Sequence, residues 1–479
     1  MCFRKGITLG SSGFWFWQEA FVAQQERRAH MYILGTTTKG KSKLMEHCLY
    51  QDIVAGRGAG LIDPHGDLAD DLLRYLASKR DFFGFSKPFT ANPHNLDRLI
   101  YIDPARSDYC VGINPLQVEP GADLYEAATD VIEAFRRIWP VSLAEAPVFS
   151  DLMLNTLIAL MENGLTLLEI PRVLTEREYR EELLRGVRNP SVVDFFHSRY
   201  DRWGREQALR IESTLNKVSA LVTSERLRNI LGQRQSTLDF REVLDSGKVL
   251  VVNLGDCGAA VAGFLGSIIL SRLQQAAVSR RDISKREERR PYYLYIDEFQ
   301  SFVGHEGGGK TLSQLLSTAA KFGLQLVAAH QSQSQLDHET KGALGNVGVK
   351  VVFGVDREDA EAMARRLFSP DLTQIKSEPN YPTQHPLFTP LAEQWEQLVQ
   401  ELQNLPPRCA YARSGTGQAV RLRAALVHDG DCSQGDLERV KLHSLRRYAR
   451  PRGEVAAEIA KRVRGPERRG LATRLEPLR

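Results

Sequence analysis

Met31-Tyr-Ile-Leu-Gly35-Thr-Thr-Thr-Lys-Gly40-Lys41-Ser42 carries a short apolar run into a G-x-x-x-x-G-K-S loop that opens onto a helix-like segment. This is the pattern of a phosphate cradle. Glycines at 35 and 40 let the backbone wrap closely, so that the N–H groups of the loop residues Thr36, Thr37, Thr38 and Lys39 face phosphate oxygens, and the following helix turns its positive dipole end to the same anion. Lys41 is then expected to reach the β- and γ-phosphates and the Ser42 hydroxyl to ligate magnesium. A second formal match, Gly304 to Thr311 with Lys310, has no apolar strand feeding it and is read as a loop.

Around the cradle, β-like runs alternate with helical patterns: Met31–Leu34, Gly60–Asp63, Leu99–Asp103, Val249–Leu254, Tyr292–Asp297, Leu324–His330 and Val349–Phe353. Several are nearly continuous in apolar residues, which is the mark of strands covered on both faces and so of a predominantly parallel sheet in an α/β fold. Leu116 to Leu244 differs, with apolar residues at helical spacing, and is read as a mostly helical insertion whose charged stretches Arg177–Arg188 and Arg199–Arg210 are solvated faces. Farther on, a helix is expected around Trp395–Leu402 and strands at Arg408–Ala412 and Ala419–Val427.

Tyr292-Tyr-Leu-Tyr-Ile-Asp297-Glu298 ends an apolar run in two carboxylates. At the tip of a buried strand, Asp297 would hold magnesium and Glu298 would polarise the water that attacks the γ-phosphate of ATP. Gln331, after the next strand, would sense that phosphate or orient the water. Asp67 reads as a helix N-cap, and His65 has no second metal ligand near it in sequence.

The chain has 479 residues, 42% hydrophobic and 25% charged, enough for two or three domains. Its six cysteines show no C-x-x-C pair, which suits reduced, structural thiols in a cytoplasmic setting. No apolar run approaches bilayer length, so no transmembrane segment is expected, and Phe14–Trp17 is read as packing or interface surface. The net charge of +4 is uneven: Arg439–Arg479 holds 13 Lys/Arg against 4 Asp/Glu, a net of +9 that leaves −5 on residues 1–438. That tail is expected to be a separate electrostatic object, either solvated or in contact with a polyanion.

From about Arg27 to Val427 these residues resemble the FtsK/HerA superfamily, within it the type IV secretion coupling proteins and HerA-like helicases. The resemblance rests on Arg27 to Met31, Leu61 to Asp67, Tyr101 to Pro104 with Gly112 to Leu116, Asp297-Glu-Phe-Gln300, His330-Gln331, Asn346 to Lys350 before Phe353, and Asp359-Ala360. It implies a RecA-like P-loop core, residues 28–115 and 245–430, with a helical insertion at 116–244, a short lead at 1–27 and a basic tail at 431–479. It further implies an ATP- and Mg2+-dependent homo-oligomer, expected to be a hexamer, that moves DNA with nucleotide between subunits and Gln331 as the sensor. Conjugative transfer beside secretion-channel or relaxosome proteins is the leading setting, cytoplasmic or recruited to the inner face of the membrane. The alternatives are a motor serving a nuclease or effector in repair or defence, and a nucleotide-dependent scaffold with little turnover. Three features depart from the pattern. Thr38 stands where the loop usually has glycine. The arginine usually found before the sensor strand is replaced by Thr318-Ala-Ala-Lys321, leaving Lys321, Arg365, Arg366 or Arg408 as candidates to act across a subunit boundary. The membrane helices or β-barrel usual ahead of the core have no counterpart in the residues before the loop.

Overall fold

The structure, a computed structural model, describes residues 5–13, 18–78, 89–118, 123–139, 147–303, 315–377 and 387–463. The second loop match at Gly304–Thr311 and the Phe14–Trp17 cluster lie outside the described residues. The chain forms two compact units. One comprises Met1–Asp103, Glu133–Ala144 and Asp239–Arg447, and the other Pro104–Ile132, Glu145–Leu238 and Tyr448–Arg479.

In chain order the strands are β1 Gly6–Ser12, β2 Gln18–Ala23, β3 Met31–Leu34, β4 Gly58–Asp63, β5 Leu99–Ile102, β6 Tyr109–Cys110, β7 Val249–Asn253, β8 Tyr292–Ile296, β9 Leu324–His330, β10 Val349–Val352, β11 Ile375–Ser377, β12 Leu387–Phe388, β13 Cys409–Ser414, β14 Val420–Ala424 and β15 Arg450–Pro451. Eleven form the main sheet, in the order β2-β1-β14-β13-β10-β3-β9-β8-β4-β7-β5. The seven strands from β10 to β5 are mutually parallel and coincide with the seven apolar runs. The reason is burial: every residue of β3, β4, β5, β8 and β9 is enclosed, so neither face needed polar residues.

The remaining four strands pair antiparallel at one edge. Two of them, β1 and β2, lie within the short lead at 1–27. Ile7 and Leu9 alternate into the core, each 1% exposed, and β1 is fastened to helix α1 (Lys41–Val54) by a reciprocal pair, Thr8 N–H to Gln51 Oε1 and Gln51 Nε2 to Thr8 O, both at 2.9 Å. The run is short, and Gly10 sits at a register shift with φ +144°, so its alternation is faint in sequence.

Part of the C-terminal segment is folded as well. Gln434–Tyr448 is a helix packed on the sheet unit through Leu437, Val440 and Leu445, and its Ser444 hydroxyl accepts from the Tyr101 N–H at 2.7 Å. Arg452–Val463 is a helix of the second unit, with Val455 and Ile459 buried and Arg462 donating to Glu169 at 2.8 Å. The described basic residues from Arg439 to Arg462 therefore lie on or beside two packed helices. In the second unit Arg180 departs from the solvated-face reading: it is 2% exposed and donates to Val173 O and Asp201.

One apolar helix is longer than the sequence reading allowed. The helical stretch Ala259–Asp282 is long and apolar enough to cross a membrane by length and composition. Phe264, Leu265, Ile268, Ile269 and Leu273 are nevertheless buried within the protein, which makes it a core helix. Among the described cysteines, Cys48, Cys110, Cys257 and Cys409 are buried free thiols.

Candidate nucleotide site

β3 lies between β10 and β9 at the middle of the eleven-stranded sheet, and chain segments leaving strand C-termini there converge. Leu34 pairs with Val352 and His330, and the chain turns at Gly35, whose N–H donates to His330 O at 3.3 Å. A Cβ at Gly35 would fall 2.6 Å from the Phe353 Cβ, so only glycine fits. Thr36 N–H bonds Gly354 O at 2.9 Å and pins the start of the loop. Gly40, at φ +108°, ends it and begins α1. Thr38 also stands in the left-handed region, at φ +66°. Lys41 is 6% exposed, and its Nζ donates to Thr36 O at 3.3 Å. Burial lowers its pKa, against the neighbouring charges of Glu298 and Asp297.

Those carboxylates arrive on β8, between β9 and β4. Ser42 Oγ donates to Asp297 Oδ2 at 3.2 Å, across 255 residues of sequence. Burial raises the pKa of Asp297, and the Glu298 and Asp63 carboxylates add to the effect. Glu298, at φ +43°, accepts from Gln331 Nε2 at 2.7 Å and from Gln300 Nε2 at 2.6 Å. A hydroxyl and a carboxylate oxygen within hydrogen-bond distance, beside a second carboxylate and a buried ammonium, form the hard-oxygen donor set that suits Mg2+ next to a polyphosphate. His330 is fully buried, bonded through Nδ1 to Tyr32 Oη at 3.1 Å, and burial pushes its pKa down to about 3 with Lys41 contributing. It is therefore a neutral strut beneath Gln331. Asp63 receives the N–H groups of His65 and Ala69, so Asp63 caps helix α2 (Asp67–Ala77) while Asp67 lies inside its first turn, which corrects the N-cap assignment.

Several contacts that position the site gave no local signal in the sequence. Arg27, 1% exposed, grips Asp52 of α1 bidentately at 2.8 and 2.6 Å and lies 3.7 Å over the Tyr293 ring. Tyr295 Oη donates to the same carboxylate at 2.7 Å and Arg57 joins it at 2.8 Å. The network ties the helix that follows the loop to the strand that delivers Asp297. Asp52 was findable as the one acid on the stripe Met45, Cys48, Leu49, Asp52 and Ile53, but its partners were not.

A family model for the type IV secretion-system coupling protein DNA-binding domain matches residues 152–418, more than half of the chain. The chain belongs to this coupling-protein family. Among solved structures it is similar to the bacterial conjugative coupling protein TrwBdeltaN70 in an unbound form, with a TM-score of 0.62 and 18% identity over 90% of this chain and 91% of that one. It is also similar to the plasmid coupling protein TrwB in complex with ADP and Mg2+, with a TM-score of 0.57 and 17% identity over 86% and 89%. VirB4 of Thermoanaerobacter pseudethanolicus matches with a TM-score of 0.54 and 14% identity over 88% and 97%. These likenesses show the RecA-like P-loop fold. No curated protein matches the chain.

The coupling-family chain distributes the four cross-boundary candidates unevenly. Lys321 is exposed at the opposite end of β9 from His330, roughly 20 Å away by strand length, and cannot serve its own chain's site. Arg365 is exposed on the helix Arg357–Leu367, and Arg366 beside it donates to Lys341 O at 3.4 Å. Arg408 is different. Its N–H donates to Lys39 O at 2.9 Å and its Nη2 to Ala424 O at 2.9 Å, while Lys39 Nζ reaches Leu405 O at 2.8 Å, so Arg408 braces the loop of its own chain.

Proposed function

We propose that this coupling-family protein is an ATP-hydrolysing motor that drives DNA during conjugative transfer, acting as a ring of copies with nucleotide between them. The observation that carries the reading is the convergence of Lys41, Ser42, Asp297, Glu298 and Gln331 at the ends of three neighbouring strands. The loop N–H groups and Lys41 bind and orient the phosphates, and Ser42 with Asp297 holds Mg2+, which when bound neutralises charge on the β- and γ-phosphate oxygens. Glu298 takes a proton from the attacking water, and Gln331 keeps that carboxylate and the γ-phosphate in one frame. The TrwB complex with ADP and Mg2+ supports the choice of cofactors. The family's description as a DNA-binding domain supports DNA as the partner, with the protein working at the cytoplasmic side of a secretion channel. ATPase assays with and without DNA test the reading. Lys41→Ala is expected to abolish turnover in a folded protein, and Glu298→Gln to retain ATP while slowing turnover about a hundredfold. Normal turnover in either variant would remove that residue from the mechanism.

A further inference from the structure

Both oxygens of Glu298 already accept a hydrogen bond from a side-chain amide, so the orientation of the carboxylate is set before water meets it. Oε1 accepts from Gln331 and Oε2 from Gln300, at 2.7 and 2.6 Å. Glu298 is 5% exposed, so water does not compete freely for those positions. The two amides belong to different parts of the unit. Gln331 follows β9 beside the phosphate loop, as the bond from Gly35 N–H to His330 O requires. Gln300 instead opens the short helix Gln300–Val303, which is fastened to the core helix Ala259–Ser279: Ser267 Oγ donates to Phe302 O at 3.0 Å, and Phe302 fills the space where a Cβ on Gly266 would come within 2.2 Å of its ring.

Two further observations mark this grip as one that is built to open. Gln300 Oε1 is buried without a hydrogen-bond partner, so the amide is only half satisfied where it stands. Glu298 is held at φ +43°, a conformation that residues with a Cβ keep only under constraint from their surroundings. The hydrogen bond from the Gln300 amide takes one lone pair of Oε2 and fixes the direction in which the carboxylate points.

We propose that Gln300 is a positioning residue that latches the Glu298 carboxylate in this conformation of the chain, and that turnover requires its amide to let go. This deepens the ATPase reading and rests on it. With the latch open, Oε2 accepts a proton from water as the water oxygen bonds to the γ-phosphorus. The bond from that phosphorus to the β–γ bridging oxygen breaks with its electron pair on ADP, and inorganic phosphate leaves.

The test is steady-state ATP hydrolysis by the full chain without DNA, for the wild type, Gln300→Ala, Gln300→Asn and Lys41→Ala. Alanine removes the donor, and the shorter asparagine amide falls short of Glu298, so both are expected to raise kcat about three- to tenfold with KM for ATP within twofold. A residue that only shapes the fold would lower kcat or raise KM when removed. Gln300→Met is the second variant, because it keeps the length of the side chain without any donor or charge, and the same rise is expected. Lys41-dependent hydrolysis in the wild type with no increase in folded Gln300 variants overturns the latch alone. Absence of Lys41-dependent hydrolysis in the wild type and in every Gln300 variant, with DNA present as well as absent, overturns the ATPase reading and the latch with it.

Discussion

Thr38 is a β-branched residue at φ +66°, where the resembling families keep glycine, and its hydroxyl bonds the neighbouring Thr37 carbonyl at 2.6 Å. Holding a Cβ there costs about 1–3 kcal/mol, and the structure meets that cost in the loop whose N–H groups must face phosphate. Thr38→Gly removes the strain but adds unfolded-state entropy of about 1 kcal/mol. Global stability is therefore expected to change by less than about 1 kcal/mol, while affinity for a fluorescent ATP analogue rises severalfold because the loop reaches its bound form without strain. Titration of the analogue against both proteins checks this, and equal affinities would make the left-handed threonine irrelevant to binding. Arg408 at φ +66° and Glu298 at φ +43° stand at the same site, so three of the four described non-glycine residues with positive φ touch it.

At the scale of elements, the site depends on α1 and β8 keeping a fixed relation, and the Arg27–Asp52–Tyr295 network supplies it. Desolvating an ion pair offsets much of its attraction, so the pair is weak evidence of net stabilisation, but removing one partner strands a buried charge. Asp52→Ala leaves the Arg27 guanidinium without its carboxylate and is expected to cost about 3–5 kcal/mol. Urea unfolding measures the loss, and a cost below about 1 kcal/mol would mean that Arg27 finds water or another acceptor. The helix Gln434–Tyr448 invites a different change. Truncation would expose Leu437, Val440 and Leu445, so its charge must be probed without cutting it. Arg439 and Arg446 are exposed on it, and replacing both by Gln is expected to lower the slope of log DNA affinity against log salt by about two if that face meets phosphates. Coincident slopes would put the DNA elsewhere.

At the scale of the whole molecule, we propose that a second copy supplies a further positive charge at the γ-phosphate position beside Lys41. With Arg408 engaged on its own loop and Lys321 far from its own site, Arg366 and Lys321 are the first candidates for that role, with Arg365 behind them. Replacing either with Ala is expected to lower hydrolysis while leaving nucleotide binding intact, since the charge it meets develops in the transition state. Mixing each variant with Lys41→Ala protein should restore part of the ATPase if the two defects sit on opposite sides of one interface. Complete absence of recovery in both mixtures would speak against both residues.

The sequence by itself determined what burial and local spacing write directly into residue order. The seven parallel strands are legible because strands enclosed on both faces become continuous apolar runs, and the phosphate loop is legible because its chemistry lies within eight consecutive residues. The edge hairpin β1–β2 and the folded C-terminal helices escaped, since a short glycine-bearing edge strand and an amphipathic basic helix resemble lead and tail until something packs against them. Only the tertiary structure decided that Ser42 meets Asp297, that Arg27 meets Asp52, that Arg408 serves its own loop, and that Gln300 takes the second oxygen of Glu298. Ser42 and Asp297 meet across 255 positions and Arg27 and Asp52 across 25, and Arg408 reaches Lys39 from the start of β13, so the spacing of these residues carries no trace of their pairing. Gln300 and Glu298 stand two positions apart, where spacing alone does not say which way the side chains turn.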